Sequence, residues 1–213
     1  MIKVYIYEPS LTTKPTVILE DNKKNIEVSY VDFNINNCYK SEKPSRLFVR
    51  KLLYTYLNLN ENDVCIKFNV SKKGKPHAVI TDKRTKNVID LPVHFSLSHS
   101  GDMLMCAISD ENVGADCQVI VNDGERLKRI ANRFFTEEEV TFLSSQKDID
   151  YAPLFFDIWT RKEAYVKYTG AGLSGGLRTF STICNGTFAK KLDDVRFINV
   201  PVDNTNYKVS VCV

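Results

Sequence analysis

Trp159-Thr160-Arg161-Lys162-Glu163-Ala164-Tyr165-Val166-Lys167 sits inside the clearest helical pattern of this chain. Leu154, Phe155, Ile158, Trp159 and Val166 recur at helical spacing along Tyr151–Tyr168 and can form one apolar stripe. Gly170 and Gly172 mark the end of the helix. Glu163 and Lys167 stand four apart, so they share a helix face. Alone, such a pair reads as an exposed ion pair worth roughly a few tenths of a kcal/mol. The tryptophan and its aromatic neighbours argue instead for a helix packed at a cleft.

Outward from this helix, helical patterning recurs at Pro44–Leu57, Asp123–Phe134 and Thr136–Ser144. Thr136 with Glu139 fits a capping box, and Val140 and Leu143 give the buried face behind it. Short runs rich in β-branched and aromatic residues predict strands at Lys3–Tyr7, Asn25–Tyr30, Val64–Asn69, Met103–Ser109 and Tyr207–Cys212. The polar stretch Thr81–Leu91 reads as an exposed loop or hairpin. Strands and helices mix without strict βαβ alternation, which predicts an α+β fold. Turn residues near Ser109–Val113 separate two apolar stretches, so we expect subdomains at 1–109 and 110–213.

The 213 residues suit one large domain or two small ones, and 43% hydrophobic with 26% charged residues is ordinary for a globular chain. The net charge of +3, from 29 Lys and Arg against 26 Asp and Glu, argues against a general nucleic-acid binder. No signal-peptide pattern opens the chain and no long apolar run crosses a membrane, so the expected location is the cytoplasm. The cysteines at 38, 65, 106, 117, 184 and 212 form no CxxC pair and sit in apolar segments. Reduced, mostly buried thiols are expected, and a zinc site is not.

Three further segments could carry chemistry. Lys73-Gly74-Lys75-Pro76-His77 is a turn that presents Lys75, or a plain solvated loop. In His94-Phe95-Ser96-Leu97-Ser98-His99-Ser100-Gly101, Phe95 and Leu97 alternate inward and Ser98 and His99 fall at the polar end. There they could donate hydrogen bonds to phosphate oxygens, or merely finish a strand. Activation of Ser98 as a nucleophile by His99 fares poorly, because adjacent strand residues face opposite ways. Val113-Gly114-Ala115-Asp116-Cys117-Gln118 is an apolar strand with a carboxylate inside it. Asp116 and Gln118 share one face, Ala115 and Cys117 the other. Such an acid must be paired with a cation from the chain or bind a metal.

Together, in order and spacing, the Gly-Lys-Pro, Phe-Ser-Leu-Ser-His-Ser, Val-Gly-Ala-Asp and Trp-Thr-Arg-Lys-Glu-Ala-Tyr-Val-Lys segments resemble the surfactin-synthetase type of phosphopantetheinyl transferase. The resemblance runs from about Lys40 to Leu173. It implies two similar α/β subdomains in a pseudo-twofold arrangement, acting as a monomer. It implies transfer of phosphopantetheine from coenzyme A to a serine of an acyl or peptidyl carrier protein, with magnesium (Mg2+) as cofactor. By the same resemblance, Asp116 and Glu163 hold the metal, and Glu163 is a candidate base, acting directly or through a metal-bound water. Lys167 balances charge on the pyrophosphate, His99 with Ser98 meets the 3′-phosphate side, and Lys75 contacts the nucleotide. Arg46, with Lys40 and Lys43 behind it, falls where the family has a basic segment for the 3′-phosphate. The family often has a second acid where this chain has Gln118, which offers a carbonyl oxygen or holds a water but brings no charge.

The helix containing Arg126, Lys128, Arg129 and Arg133 around Leu127, Ile130, Ala131 and Phe134 could face an acidic carrier, or be an ordinary packed helix. Two alternatives to the transferase reading remain. Another magnesium-dependent phosphoryl enzyme would most often carry a P-loop, and none is present. A non-catalytic module binding coenzyme A or a carrier is favoured only by Gln118.

Overall fold

Strict alternation of Ile2, Val4 and Ile6 with Lys3, Tyr5 and Tyr7 makes the first strand, β1 (Ile2–Tyr7), bury one face and half-expose the other. The computed structural model describes residues 1–9, 17–19, 25–33, 43–70, 76–146, 150–172 and 176–213. After β1 come β2 (Val17–Leu19), β3 (Ile26–Tyr30) and helix α1 (Pro44–Tyr56). A hairpin sheet follows, of β4 (Val64–Val70), β5 (Pro76–Asp82) and β6 (Val88–Asp90), so the polar stretch after Thr81 is a hairpin. Next come β7 (His94–Ser100), β8 (Met103–Ser109) and β9 (Gly114–Val119). Three helices, α2 (Gly124–Phe134), α3 (Glu137–Ser145) and α4 (Tyr151–Thr169), lead into the short strands β10 (Ile183–Cys184), β11 (Thr187–Phe188) and β12 (Lys191–Leu192). The chain closes with β13 (Val195–Asn199) and β14 (Tyr207–Cys212). The mixture is α+β, as the patterning predicts.

Two sheets position the site. The first runs β2-β3-β1-β8-β7, with β1 parallel to β3 and antiparallel to β8. The second runs β12-β13-β14-β9. Strand β8 is buried along its whole length, which accounts for the unbroken apolar run Met-Leu-Met-Cys-Ala-Ile. Met103, Met105 and Ala107 join β1 and β3 in a core that also takes Val113, Ala115 and Cys117 and the inner residues of β14. Leu104, Cys106 and Ile108 face the other way, into a core closed by α1, β4 and β5. The turn at 110–113 therefore divides the chain in sequence while one core spans both sides of it.

Gly114 lets α4 lie directly on β9. A Cβ at this position would collide with the Ala164 carbonyl oxygen and the Tyr168 backbone nitrogen. Asn112 donates to the Tyr168 carbonyl at 2.7 Å, tying the end of α4 to the start of β9. Beside this contact the two sheet edges, β7 and β9, are joined by serines. Ser96 Oγ accepts from the Ala115 N–H at 2.9 Å and Ser100 Oγ accepts from the Val119 N–H at 3.0 Å. Hydroxyls thus satisfy backbone groups that a sheet ladder would otherwise pair. Cys106, Cys117 and Cys212 are buried free thiols, Cys65 is half-buried and Cys184 exposed, while Cys38 lies outside the described residues. Among the described residues, no helix is long and apolar enough to cross a membrane.

Candidate active site

The seam between β7, β9 and α4 gathers the acids that the sequence singles out. Asp116 is 2% exposed on β9, opposite Ser210 of β14. Three donors from three elements reach its carboxylate. Ser98 Oγ donates to Oδ1 at 2.6 Å, Lys167 Nζ to the same oxygen at 2.7 Å, and Gln118 Nε2 to Oδ2 at 3.2 Å. Lys167 also donates to the Leu97 and Ala115 carbonyls at 3.2 and 3.0 Å. Its ammonium therefore joins α4 to both strands.

Glu163 comes to the same place one turn earlier on α4. Burial, and then the neighbouring Asp116 carboxylate, push its carboxyl up to about 7, while Lys167 pulls partly in the other direction. A carboxyl tuned to that range can exchange a proton near neutral pH. Among the described residues, no group of three or more His, Cys, Asp and Glu side chains forms a metal cluster. The donor set is two carboxylates with the Gln118 amide beside them.

Several expectations change form. The spacing of Glu163 and Lys167 predicts a pair within the helix, yet the Lys167 ammonium turns to Asp116. Of the two readings of Asp116, paired with a cation from the chain or binding a metal, the structure shows the pairing, and its cation is Lys167. Ser98 is expected at a polar strand end, but β7 continues past it, and its hydroxyl is buried against Asp116. His99 alternates to the opposite face, the one that carries Phe95 and Leu97, and is itself exposed at its end. Gln118 turns its amide N–H to Asp116 and accepts from Ser100 Oγ with its carbonyl oxygen at 3.2 Å. The oxygen expected to serve a metal is thus engaged by Ser100. Lys43 and Arg46 are exposed at the start of α1, which packs on β7 and β8. Lys40 and Lys75 lie outside the described residues.

Sequence reasoning missed what the rest of the Trp159–Lys167 segment does. Trp159 stacks on Phe155 with ring centroids 5.8 Å apart. Thr160 Oγ1 and Ser210 Oγ share a buried hydrogen bond of 2.9 Å. Arg161 donates to Asn199 Oδ1 at 3.0 Å and the Ala189 carbonyl at 2.7 Å, with its guanidinium over Phe188. Lys162 is fully buried and lies 2.8 Å from Glu139, whose other contacts are Thr136 N–H, Thr182 N–H and Thr182 Oγ1. Burial drives the Lys162 ammonium below the usual lysine range, and Glu139 opposes that shift. The capping box at Thr136 is the signal that placed Glu139 at a helix start; nothing local reveals its partner.

On the exposed side of α2, Arg126, Lys128, Arg129 and Arg133 all face solvent, while Leu127 and Ala131 are buried. Lys128 pairs with Glu125 at 3.1 Å, and Arg133 lies over Phe134. Between α2, β9 and α4 opens a cavity of about 230 Å³ lined by Val119, Leu127, Ile130, Phe155 and Trp159, with Gln118 and Arg126 also in its wall.

Comparison with known proteins shows the family. Residues 112–212 match the family described as the 4′-phosphopantetheinyl transferase superfamily. The chain is 35% identical to the 4′-phosphopantetheinyl transferase gsp of Aneurinibacillus migulanus, over 74% of this chain and 59% of that protein. It is 30% identical to the 4′-phosphopantetheinyl transferase ffp of Bacillus subtilis, over 78% of this chain and 70% of that protein. For the 4′-phosphopantetheinyl transferase Sfp of Bacillus subtilis strain 168 the identity is 29%, with the same coverage. The match to the first of these spans less than two thirds of that protein's length. The chain belongs to the 4′-phosphopantetheinyl transferase superfamily.

Proposed function

We propose that this protein transfers the 4′-phosphopantetheine group of coenzyme A to a serine of an apo acyl or peptidyl carrier protein, with magnesium, as a cytoplasmic monomer of two subdomains, 1–109 and 110–213. The observation that carries this reading is the meeting of Asp116 and Glu163 across the β9–α4 seam, close enough that one carboxylate raises the other's pKa. Two acids that repel each other fit a divalent cation, and magnesium takes one or two carboxylates together with substrate phosphate oxygens. Asp116 and Glu163 would hold it, with Gln118 beside them. When bound, magnesium supplies charge neutralisation to the diphosphate.

In the reaction, the carrier's serine Oγ attacks the phosphorus that bears pantetheine. The bond from that phosphorus to the bridging oxygen breaks, and 3′,5′-adenosine bisphosphate leaves. Glu163, with its carboxyl near 7, can take the serine proton, directly or through a water. Lys167 adds positive charge for the pyrophosphate. Lys75, Arg46, Lys40, Lys43 and His99 are the proposed coenzyme contacts. Ser98 contributes from behind, through Asp116. The exposed cations Arg126, Lys128, Arg129 and Arg133 suit an acidic carrier, and the largely apolar cavity beside them has Gln118 in its lining.

The test mixes the protein with an apo carrier, coenzyme A and magnesium, and weighs the carrier by mass spectrometry. One added phosphopantetheine is the expected result. Glu163→Ala should retain the fold and lose transfer by about a hundredfold or more. Coenzyme A binding without transfer to any of several carriers would instead leave a non-catalytic binding module.

A further inference from the structure

We infer that the Lys167 ammonium is a built-in placeholder for the divalent cation on Asp116, released toward the coenzyme's pyrophosphate when that cation arrives. The inference rests on the proposed magnesium and coenzyme A reading of the site. An ammonium has three donors. Those of Lys167 go to Asp116 Oδ1, the Leu97 carbonyl and the Ala115 carbonyl. With all three engaged, none is left over for a phosphate.

Asp116 needs this arrangement. Its side chain is 3% exposed in an apolar strand, and an unpaired charge there would be costly. Of its three donors, Ser98 and Gln118 are neutral and belong to strands, so they can stay when a cation binds. Lys167 alone carries charge, so a divalent cation on Asp116 repels it. It is also 29% exposed, near the end of α4, on a flexible four-carbon stem. It can leave the carboxylate toward the solvent side, where an anionic ligand would lie. Cation and coenzyme then bind cooperatively: one frees the lysine and the other receives it. By linkage each tightens the other by the same factor.

The experiment measures Mn2+ binding by electron paramagnetic resonance, with and without coenzyme A, in the wild type, Lys167→Met and Ser98→Ala. Coenzyme A binding in EDTA is measured by calorimetry. The wild type should bind Mn2+ at least about tenfold more tightly with coenzyme A than without. Lys167→Met should bind Mn2+ alone about tenfold more tightly than the wild type, and the coenzyme's effect should shrink to the part that its phosphate oxygens supply as ligands. Its coenzyme A affinity in EDTA should change less than about threefold. Ser98→Ala, which removes a neutral donor, should not tighten Mn2+. Equal wild-type Mn2+ affinity with and without coenzyme A overturns the inference, even if Lys167→Met does not fold. So does a Lys167→Met protein that loses coenzyme A in EDTA while its Mn2+ binding is unaltered. A wild type that binds coenzyme A in neither condition instead sinks the underlying reading of the site.

Discussion

Helix α4 carries two lysines, five residues apart, and each meets an acid from another element; the two pairs have opposite characters. Lys162 and Glu139 are both fully buried. The lysine spends its three donors on Glu139, the Leu177 carbonyl and the Phe180 carbonyl, and both Glu139 oxygens are engaged by backbone and hydroxyl donors as well. Lys167 and Asp116 are as close, but the lysine is part exposed, and a second acid, Glu163, shares the neighbourhood. The first pair is saturated and sealed, which suits a strut that ties the 177–182 segment to α3 and α4. The second is open on one side and has an excess of negative charge. Equal distances therefore do not make equal pairs: access and charge balance separate a strut from a site.

The sharpest way to break this contrast is to remove one partner of the sealed pair. Glu139→Ala leaves a buried ammonium without its counter-ion and should cost about 3–5 kcal/mol of stability. The Lys162→Met, Glu139→Leu double variant should recover much of that loss, because no charge remains buried. Urea unfolding midpoints for the three proteins decide the matter. A mild effect of Glu139→Ala would show that the pair is no strut.

Local patterning made most of the elements legible. The helix from Tyr151, the strand from Met103 and the capping box at Thr136 all follow from periodicity and turn chemistry that act within a few residues. The partners were not legible, because periodicity tells which face is buried and not what lies across it. The spacing of Glu163 and Lys167 pointed to a bond within the helix. A buried carboxylate on β9 has more to gain from that ammonium than a part-exposed one on α4, and tertiary contact prevailed. Ser98 shows the same limit. Its strand looked ended by polar residues, yet the serines of β7 serve as backbone partners for β9. The other glycines pointed to a turn at Gly74 and a helix end at Gly170 and Gly172, whereas Gly114 is there for close approach of α4.

A second test separates the pairs by pH. The Glu163 carboxyl is raised from its ordinary value to about 7, so the protonated form is the one that the fold favours. Its stabilising contribution is fully present below the unfolded carboxyl's range and is lost as pH rises through about 7. In EDTA, the wild type should therefore lose stability between pH 5 and pH 8 relative to Glu163→Gln. The difference should be about 1–2 kcal/mol once solvent screening at the open side is counted. Comparing the two proteins at each pH cancels every group they share. Parallel urea-midpoint profiles would mean that burial and Asp116 together do not raise the Glu163 carboxyl.

The smallest effect probes the charge balance of the open pair directly. Gln118 donates its amide N–H to Asp116 Oδ2 and is held from behind by Ser100. Gln118→Glu exchanges that donor for a third negative charge, and Ser100 can still donate to the new carboxylate. Without a cation the site then repels itself more strongly, so the melting temperature in EDTA should fall by a few degrees, about 1 kcal/mol. With magnesium the same charge becomes a ligand, and the concentration needed for half-maximal transfer should drop by about threefold to tenfold. The two shifts must come together, because one added charge causes both. A lower magnesium requirement with unchanged stability in EDTA would place residue 118 outside the repulsive field of Asp116 and Glu163. An unchanged requirement with lower stability would mean that its side chain cannot turn from Ser100 toward the cation.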